Sequence, residues 1–202
     1  METKFFLVRH GKSEVGLRGI VQGRGLKIPL TAEGKKQAIK VAKELKDFSF
    51  DIIFTSQAVR AIDTAEIIKR FHKNVPFIKL AALNERSKGA AEGMKKEDFA
   101  KQYPGIIKQW KKEIDARIEG GENFEDVHNR VVPVIEKHLK RYKGKNLLYV
   151  IHGNVIRVII GHILGVPFRF RPRLEQDYCA FNAITYNHDT KRWRAECVNK
   201  VF

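Results

Sequence analysis

Phe5-Phe6-Leu7-Val8-Arg9-His10-Gly11 and Leu147-Leu148-Tyr149-Val150-Ile151-His152-Gly153 are the two stretches on which the reading of this chain turns. Each is a short apolar run that ends in a histidine and a glycine. An unbroken apolar run of this length fits a strand buried on both faces, as in a parallel sheet covered by helices. Open α/β sheets place ligand sites at the carboxyl ends of such strands. Two imidazoles delivered there, one preceded by Arg9, point to a pocket for an anion of the phosphate kind.

Outward from these runs the chain alternates strand and helix signals, with no repeats or low-complexity tracts. The pattern predicts strands over 3–8, 51–55, 75–80 and 147–151, then a hairpin of 180–187 and 192–200 turning on Asn187-His188-Asp189-Thr190. Helices are predicted over about 31–46, with Thr31 as N-cap, and over 56–72, 95–101, 105–117, 123–142 and 153–164. The Gly120-Gly121 pair is expected to stop the fourth helix and Pro133 to bend the fifth. Residues 12–30, rich in glycine, read as a long loop. Repeated βα units predict one three-layer α/β/α domain over 1–202, with a mostly parallel sheet, helices on both faces and a C-terminal hairpin.

With 202 residues, 43% hydrophobic and 31% charged, the chain has the size and balance of a globular protein and not of a disordered one. No stretch approaches the roughly 18 apolar residues of a membrane span. The most apolar window, 147–166, is broken by His152, Asn154, Arg157 and His162. A strand signal at the amino terminus speaks against a signal peptide, and the expected location is the cytoplasm. Cys179 and Cys197 lack metal-ligand spacing and are expected to be free buried thiols. Lys and Arg number 39 against 23 Asp and Glu, a net charge of +16. Such a surface draws polyanions in general, so RNA, an acidic membrane or phosphorylated small molecules all satisfy charge alone.

Arg9-His10-Gly11 joins three useful properties. A neutral imidazole nitrogen can attack phosphorus, and nearby cations keep it unprotonated. Arginine offers a planar fork of donors to phosphate oxygens, and glycine lets backbone approach the anion. Arg60 lies in the first turn of the second helix, where free amides favour an anion; taken alone it reads better as a solvated helix arginine. Glu85, in Leu83-Asn84-Glu85 after the third strand, could protonate a leaving oxygen and then take a proton from water. Beside Arg86 it also reads as an ordinary loop carboxylate. His152 could donate to a phosphoryl oxygen, with Gly153 opening a turn of free amides, although a single strand-end histidine is more often structural. All four features share one location, the carboxyl ends of strands.

Over nearly its full length the chain resembles the histidine phosphatase superfamily, which includes cofactor-dependent phosphoglycerate mutases and broad-specificity phosphatases. The resemblance rests on Leu7-Val8-Arg9-His10-Gly11-Lys12-Ser13-Glu14, Gln22-Gly23, Pro29-Leu30-Thr31-Ala32-Glu33-Gly34 and Thr55-Ser56 with Arg60-Ala61. Leu83-Asn84-Glu85, Gly121-Glu122-Asn123, Arg130-Val131 and His152-Gly153 extend it. It implies a phosphoglycerate mutase-like fold with the segment 86–120 as a helical cap. It further implies a phosphate pocket of Arg9, His10, Arg60 and His152, phosphorylation of His10 during turnover, and Glu85 as proton donor. Gln22, Gly23 and the backbone at Gly153 are implied as contacts to the phosphoryl group or substrate. The implied activity is hydrolysis of phosphomonoesters on small molecules, with no metal and no cofactor.

Two positions depart from the family pattern. Gly16 stands where the resemblance leads one to expect an asparagine contacting phosphate, and Arg24-Gly25-Leu26-Lys27 replaces an acidic residue expected after Gln22-Gly23. A mutase is the nearest rival, but the mutases carry a tyrosine-glycine pair near the proton donor that Arg86-Ser87-Lys88-Gly89 lacks. A different class of rival is a basic module that binds RNA or phosphoprotein, for which Phe168-Arg169-Phe170-Arg171-Pro172-Arg173 interleaves aromatics with arginines. The plainer expectation for that segment is a rim over the site that attracts anionic substrate. A homodimer is compatible with the sequence, which also leaves the physiological substrate open.

Overall fold

The computed structural model describes residues 1–17 and 19–202, and the surroundings of positions 16 and 17 lie outside that description together with Arg18. The contact expected at Gly16 therefore falls outside the described residues. Six strands form one sheet: β1 (Glu2–Arg9), β2 (Ile52–Thr55), β3 (Phe77–Lys79), β4 (Asn146–Ile151), β5 (Phe181–Asn187) and β6 (Arg192–Lys200). Their spatial order is β3-β2-β4-β1-β5-β6, with the first four parallel and the terminal hairpin antiparallel. The helices are α1 (Glu14–Leu17), α2 (Ala32–Glu44), α3 (Val59–Lys69), α4 (Lys96–Gln102), α5 (Pro104–Lys111), α6 (Phe124–Arg141) and α7 (Gly153–Ile163).

The two apolar runs become β1 and β4, neighbours at the centre of the sheet. Because side chains alternate along a strand, each run supplies both faces. Phe5, Leu7, Leu147, Tyr149 and Ile151 pack with Val127, Val131 and Ile135 of α6 and with Val155 and Ile159 of α7. Phe6, Val8, Leu148 and Val150 pack with Ala38 and Val41 of α2, with Leu45 that caps its end, and with Ala65 and Ile68 of α3. Helices thus cover both faces, as the βα pattern requires. Val8 pairs with Val150 and Arg9 with Ile151. One step further, the His10 N–H donates to the Ile151 carbonyl at 2.9 Å. That register sets His10 and His152 side by side.

Local chemistry fixes the helix starts. The Thr31 hydroxyl accepts from the Gly34 N–H at 2.9 Å, as expected of an N-cap. Asn123 and Asp126 form a reciprocal capping box at the start of α6, which continues through Pro133. Several expectations need correction. Helix α5 stops at Lys111 and not at 117, because Glu113 takes a left-handed φ of 59° that no α-helix continues. The chain freed by this stop lets the Asp115 carboxylate accept from the Phe124 and Glu125 N–H groups at the start of α6, at 2.9 and 3.1 Å. Strand β3 shrinks to three residues, and the long loop after β1 contains the single turn α1. Residues Phe168–Arg173 form a 3₁₀ turn.

Between β3 and α6 a separate apolar cluster gathers Ala91, Phe99 and Ile118 with Val21, Trp110 and neighbours. The Val21 N–H donates to the Met94 carbonyl at 2.8 Å, and Ile20 bridges to Lys95. The loop after β1 is thereby tied to the segment carrying α4 and α5. Cys179 and Cys197 are both free, the first buried and the second half-buried. Among the described residues no helix is long and apolar enough to cross a membrane.

Candidate active site

Every candidate side chain sits at the carboxyl end of the parallel strands. The loop after β1 crosses the start of α2 at van der Waals limit. A Cβ on Gly11 would lie 2.4 Å from the Gly34 carbonyl oxygen, and one on Gly34 only 2.0 Å from the Lys12 oxygen. Two glycines are required there because backbone meets backbone. The Gly11 N–H donates to Thr64 Oγ1 of α3 at 3.1 Å, which completes the clamp on the loop that presents His10.

Arg9, His10, Arg60 and His152 converge. The imidazoles of His10 and His152 lie 5.0 Å apart at their centroids, crossed at 65°. The Arg60 Nε–H donates to His10 Nε2 at 3.3 Å. His10 Nδ1 sits 2.8 Å from the Gly11 carbonyl, which can only accept, so Nδ1 carries the proton and Nε2 the lone pair. Arg60, with no exposed surface, also spans back to the loop: its Nη1 and Nη2 donate to the Gly25 and Gly23 carbonyls at 2.6 and 3.1 Å. The stretch Arg24-Gly25-Leu26-Lys27, unexpected by the family pattern, is what Arg60 and the Val59 N–H hold in place. Arg9 donates to the Gln176 carbonyl and lies 4.0 Å over the Tyr178 ring. Among the described residues its Nε and His152 Nδ1 are buried without a hydrogen-bond partner. Buried donors left unpaired are costly, and here they belong to two of the four residues that make the pocket.

Burial, reinforced by the Arg60 and Arg9 charges, pushes His10 well below the usual histidine value of 6.5, against the Gly11 carbonyl bond that opposes the shift. His152 is lowered the same way, by burial and then by Arg60, His10 and Arg9. Both imidazoles are neutral at physiological pH.

The remaining expected residues surround this centre. Glu85 accepts from the Arg86 N–H at 2.7 Å and from the Asn154 N–H at 3.4 Å, which sets it against the start of α7. Gly153 adjoins Arg9, whose Nε would lie 3.4 Å from a Cβ there. Gly23 holds Arg60 through its carbonyl. Gln22 bonds to the Ser13 hydroxyl at 3.1 Å and lines a cavity of about 460 Å³, together with Val21, Lys88, Lys96, Trp110 and Tyr178. Tyr178 also stands 5.8 Å from the His10 ring, so this cavity opens beside the histidine pair.

Several participants are not marked as site residues by the sequence. Ser56 Oγ meets His152 Nε2 at 2.8 Å and fixes the ring; the sequence marks it only as part of the Thr55-Ser56 pair in the family resemblance, with no role attached. Tyr178 and Gln176 come from an irregular stretch with no periodicity. Within Phe168–Arg173 only Arg171 turns inward, while Arg169 and Arg173 remain exposed. Arg171 is buried over the Phe168 ring at 4.3 Å, Arg169 and Arg173 both cover Phe170 at 4.5 Å, and Arg173 pairs with Glu113.

The sequence profile of the histidine phosphatase superfamily, branch 1, matches residues 5–200. The phosphatase PhoE of Bacillus subtilis is 36% identical over 163 residues, covering 81% of this chain and 78% of that protein. A 2,3-bisphosphoglycerate-dependent phosphoglycerate mutase of Cytophaga hutchinsonii is 35% identical over 163 residues, covering 78% of this chain and 75% of the mutase. Among solved structures, the alpha-ribazole phosphatase of Shigella flexneri superposes with a TM-score of 0.86 at 27% identity, over 98% of this chain and 96% of that one. A mycobacterial glucosyl-3-phosphoglycerate phosphatase, 21% identical, shares the fold with a TM-score of 0.88 over 98% and 99% of the two chains. The converging histidines and arginines thus stand in a chain that belongs to the histidine phosphatase superfamily, branch 1, and is an enzyme of its phosphatase class.

Proposed function

We propose that the chain hydrolyses phosphomonoesters of small molecules in two steps through a phosphohistidine on His10, with neither metal nor cofactor. The observation that carries this reading is the state of His10, whose Nδ1 proton is committed to Gly11 and whose Nε2 lone pair sits among Arg9, Arg60 and His152. In the first step Nε2 attacks phosphorus, the ester P–O bond breaks, and Glu85 gives a proton to the leaving oxygen. In the second step water attacks the same phosphorus, its proton passes to the Glu85 carboxylate, and the P–N bond breaks to return the Nε2 lone pair. Arg9, Arg60 and the unpartnered Nδ1 of His152 serve the equatorial oxygens as charge builds on them. Gln22 and the backbone at Gly23 and Gly153 line the approach.

Rapid quenching with ³²P-labelled substrate tests the reading. The expected label is acid-labile, base-stable and on His10, and His10→Ala is expected to slow turnover by at least roughly 10³-fold. A chelator is expected to leave the rate unchanged. Label on serine, or robust turnover by the alanine variant, overturns the assignment. A mutase is the competing outcome, since relatives about as similar carry that name. It would return the phosphoryl group to a second hydroxyl, so formation of 2-phosphoglycerate from 3-phosphoglycerate plus bisphosphate primer would replace hydrolysis as the activity.

A further inference from the structure

The cavity beside His10 contains cations that the two-step chemistry does not use. Lys88 and Lys96 line it, with Trp110 and Phe99 as aromatic walls. Lys88 Nζ lies 4.7 Å from the centre of the Trp110 ring, and the Arg86 guanidinium lies 5.8 Å from the same ring. Arg86 is buried, stacks 4.6 Å from Phe124, and its Nε has no partner among the described residues.

The neighbouring carboxylates are engaged elsewhere. Glu92 accepts from the backbone N–H of Lys88 and Arg24 and from the Ser87 hydroxyl. Glu122 pairs with Arg24 and Arg130. Glu85 holds the amides of Arg86 and Asn154. Among the described residues Lys88 has no carboxylate within salt-bridge distance. A half-buried ammonium backed by a second cation and lacking a counter-ion is a site awaiting an anion.

We propose that Lys88 is a specificity-determining residue that recognises a second anionic group, carboxylate or phosphate, on the alcohol half of the substrate seated in this cavity. The inference rests on the hydrolytic reading of the His10 site and names its substrate class: small phosphomonoesters that carry a further negative charge. At about 460 Å³ the cavity has the size of small-molecule sites, and Tyr178 spans from it to His10. The charges facing Lys88 are Arg86, Arg157 and Lys96 on one side of the balance and Glu85 and Glu92 on the other. Burial, then Arg86, brings the free ammonium down to about 7, so an arriving anion also restores its proton.

The test compares two probes with one skeleton and matched leaving groups, 3-phosphoglycerate and glycerol 3-phosphate, which exchange a carboxylate for CH₂OH. The wild-type enzyme is expected to favour 3-phosphoglycerate in kcat/KM. Lys88→Met is expected to cut that substrate by roughly tenfold or more, chiefly through KM, and to leave glycerol 3-phosphate within about twofold. Lys88→Arg restores the preference. The wild-type preference declines as pH rises through about 7, whereas that of Lys88→Arg stays flat. An equal preference in wild type and Lys88→Met overturns the inference, as does failure to hydrolyse either probe by an enzyme that hydrolyses p-nitrophenyl phosphate. Loss of all three activities would instead sink the hydrolytic reading itself, and the inference with it.

Discussion

Arg60 donates its Nε–H to His10 Nε2, so a residue whose charge helps lower the His10 pKa also engages the lone pair that the proposed reaction uses for attack. In the proposed reaction an incoming phosphoryl oxygen takes that N–H and in doing so frees Nε2 to attack. The arrangement couples anion binding to exposure of the nucleophile. It also ties the acidity of His10 to the Arg60 charge.

Removal of that charge should therefore appear in the pH profile. Burial, with Arg60 and Arg9, holds His10 well below 6.5 in the wild type, so the acid limb of kcat/KM that His10 sets is expected below 6.5. Arg60→Met is expected to raise the acid limb toward 6.5 and to lower kcat by at least roughly 100-fold. Arg60→Lys keeps a charge but cannot hold the Gly23 and Gly25 carbonyls together, so it recovers the limb and not the rate. An acid limb unmoved in Arg60→Met would refute the coupling.

The glycine contact beneath the nucleophile gives a prediction about stability. Gly34→Ala drives a methyl into the Lys12 carbonyl at 2.0 Å, and neither backbone can yield without shifting α2 or the His10 loop. The expected cost is about 1–3 kcal/mol. Thermal unfolding should show a lowered Tm, and activity should fall at temperatures where the variant is still folded. A fully active variant of unchanged Tm would mean that the loop has room the structure does not show.

Ser56 offers a finer probe. It orients His152 through one hydrogen bond at 2.8 Å while accepting from the Ala58 N–H at 3.2 Å. Ser56→Ala is expected to lower kcat by roughly 10–100-fold with little effect on Tm, by analogy with the loss of hydrogen bonds that orient metal-ligating imidazoles. Ser56→Thr, which keeps the hydroxyl, should recover much of the rate. Identical loss in both variants would indicate a packing effect alone.

The fold was readable in the sequence because it follows from local pattern, whereas the four-residue centre was readable only with the family resemblance, since Arg60 and His152 taken alone read as ordinary residues. The apolar runs 5–8 and 147–151 announce doubly covered strands, and strand ends in an open α/β sheet are where residues such as Arg9, His10 and His152 meet. What was unreadable depends on contacts across the chain. Tyr178 covers Arg9 from an aperiodic stretch, and nothing near Phe168 announces that Arg171 turns inward. The early end of α5 has a similar cause: Asp115 caps a helix that begins nine residues later, so tertiary demand overrides a helical pattern that runs on to 117.

Buried neutral histidine makes stability depend on pH. His138 stacks 4.2 Å on Phe54 and bonds to the Tyr149 hydroxyl at 2.8 Å, and burial brings it down to about 4. The unfolded chain takes up this proton near 6.5 and the folded one only near 4, so stability falls as pH drops between those values. His10, His152, His128 and His72 are shifted in the same direction and steepen the fall. Tm measured from pH 7 to 4 should decline, and His138→Gln should decline less than the wild type. Parallel curves would show that His138 protonates in the native state at no cost.

Glu85 separates the two chemical steps. If it protonates the leaving oxygen, its loss matters most for alkoxides, which leave poorly without a proton, and least for p-nitrophenolate, which needs none. Glu85→Gln is expected to slow hydrolysis of alkyl phosphates by roughly 10²–10⁴-fold and formation of the phosphoenzyme from p-nitrophenyl phosphate far less. The same variant lacks the base that activates water in the second step. With p-nitrophenyl phosphate it should therefore release a burst of nitrophenolate equal to one per active site and then stall as phosphohistidine. Quenched-flow measurement of the burst checks this directly. Equal slowing of both substrate types, with no burst, would move the proton donor to another residue.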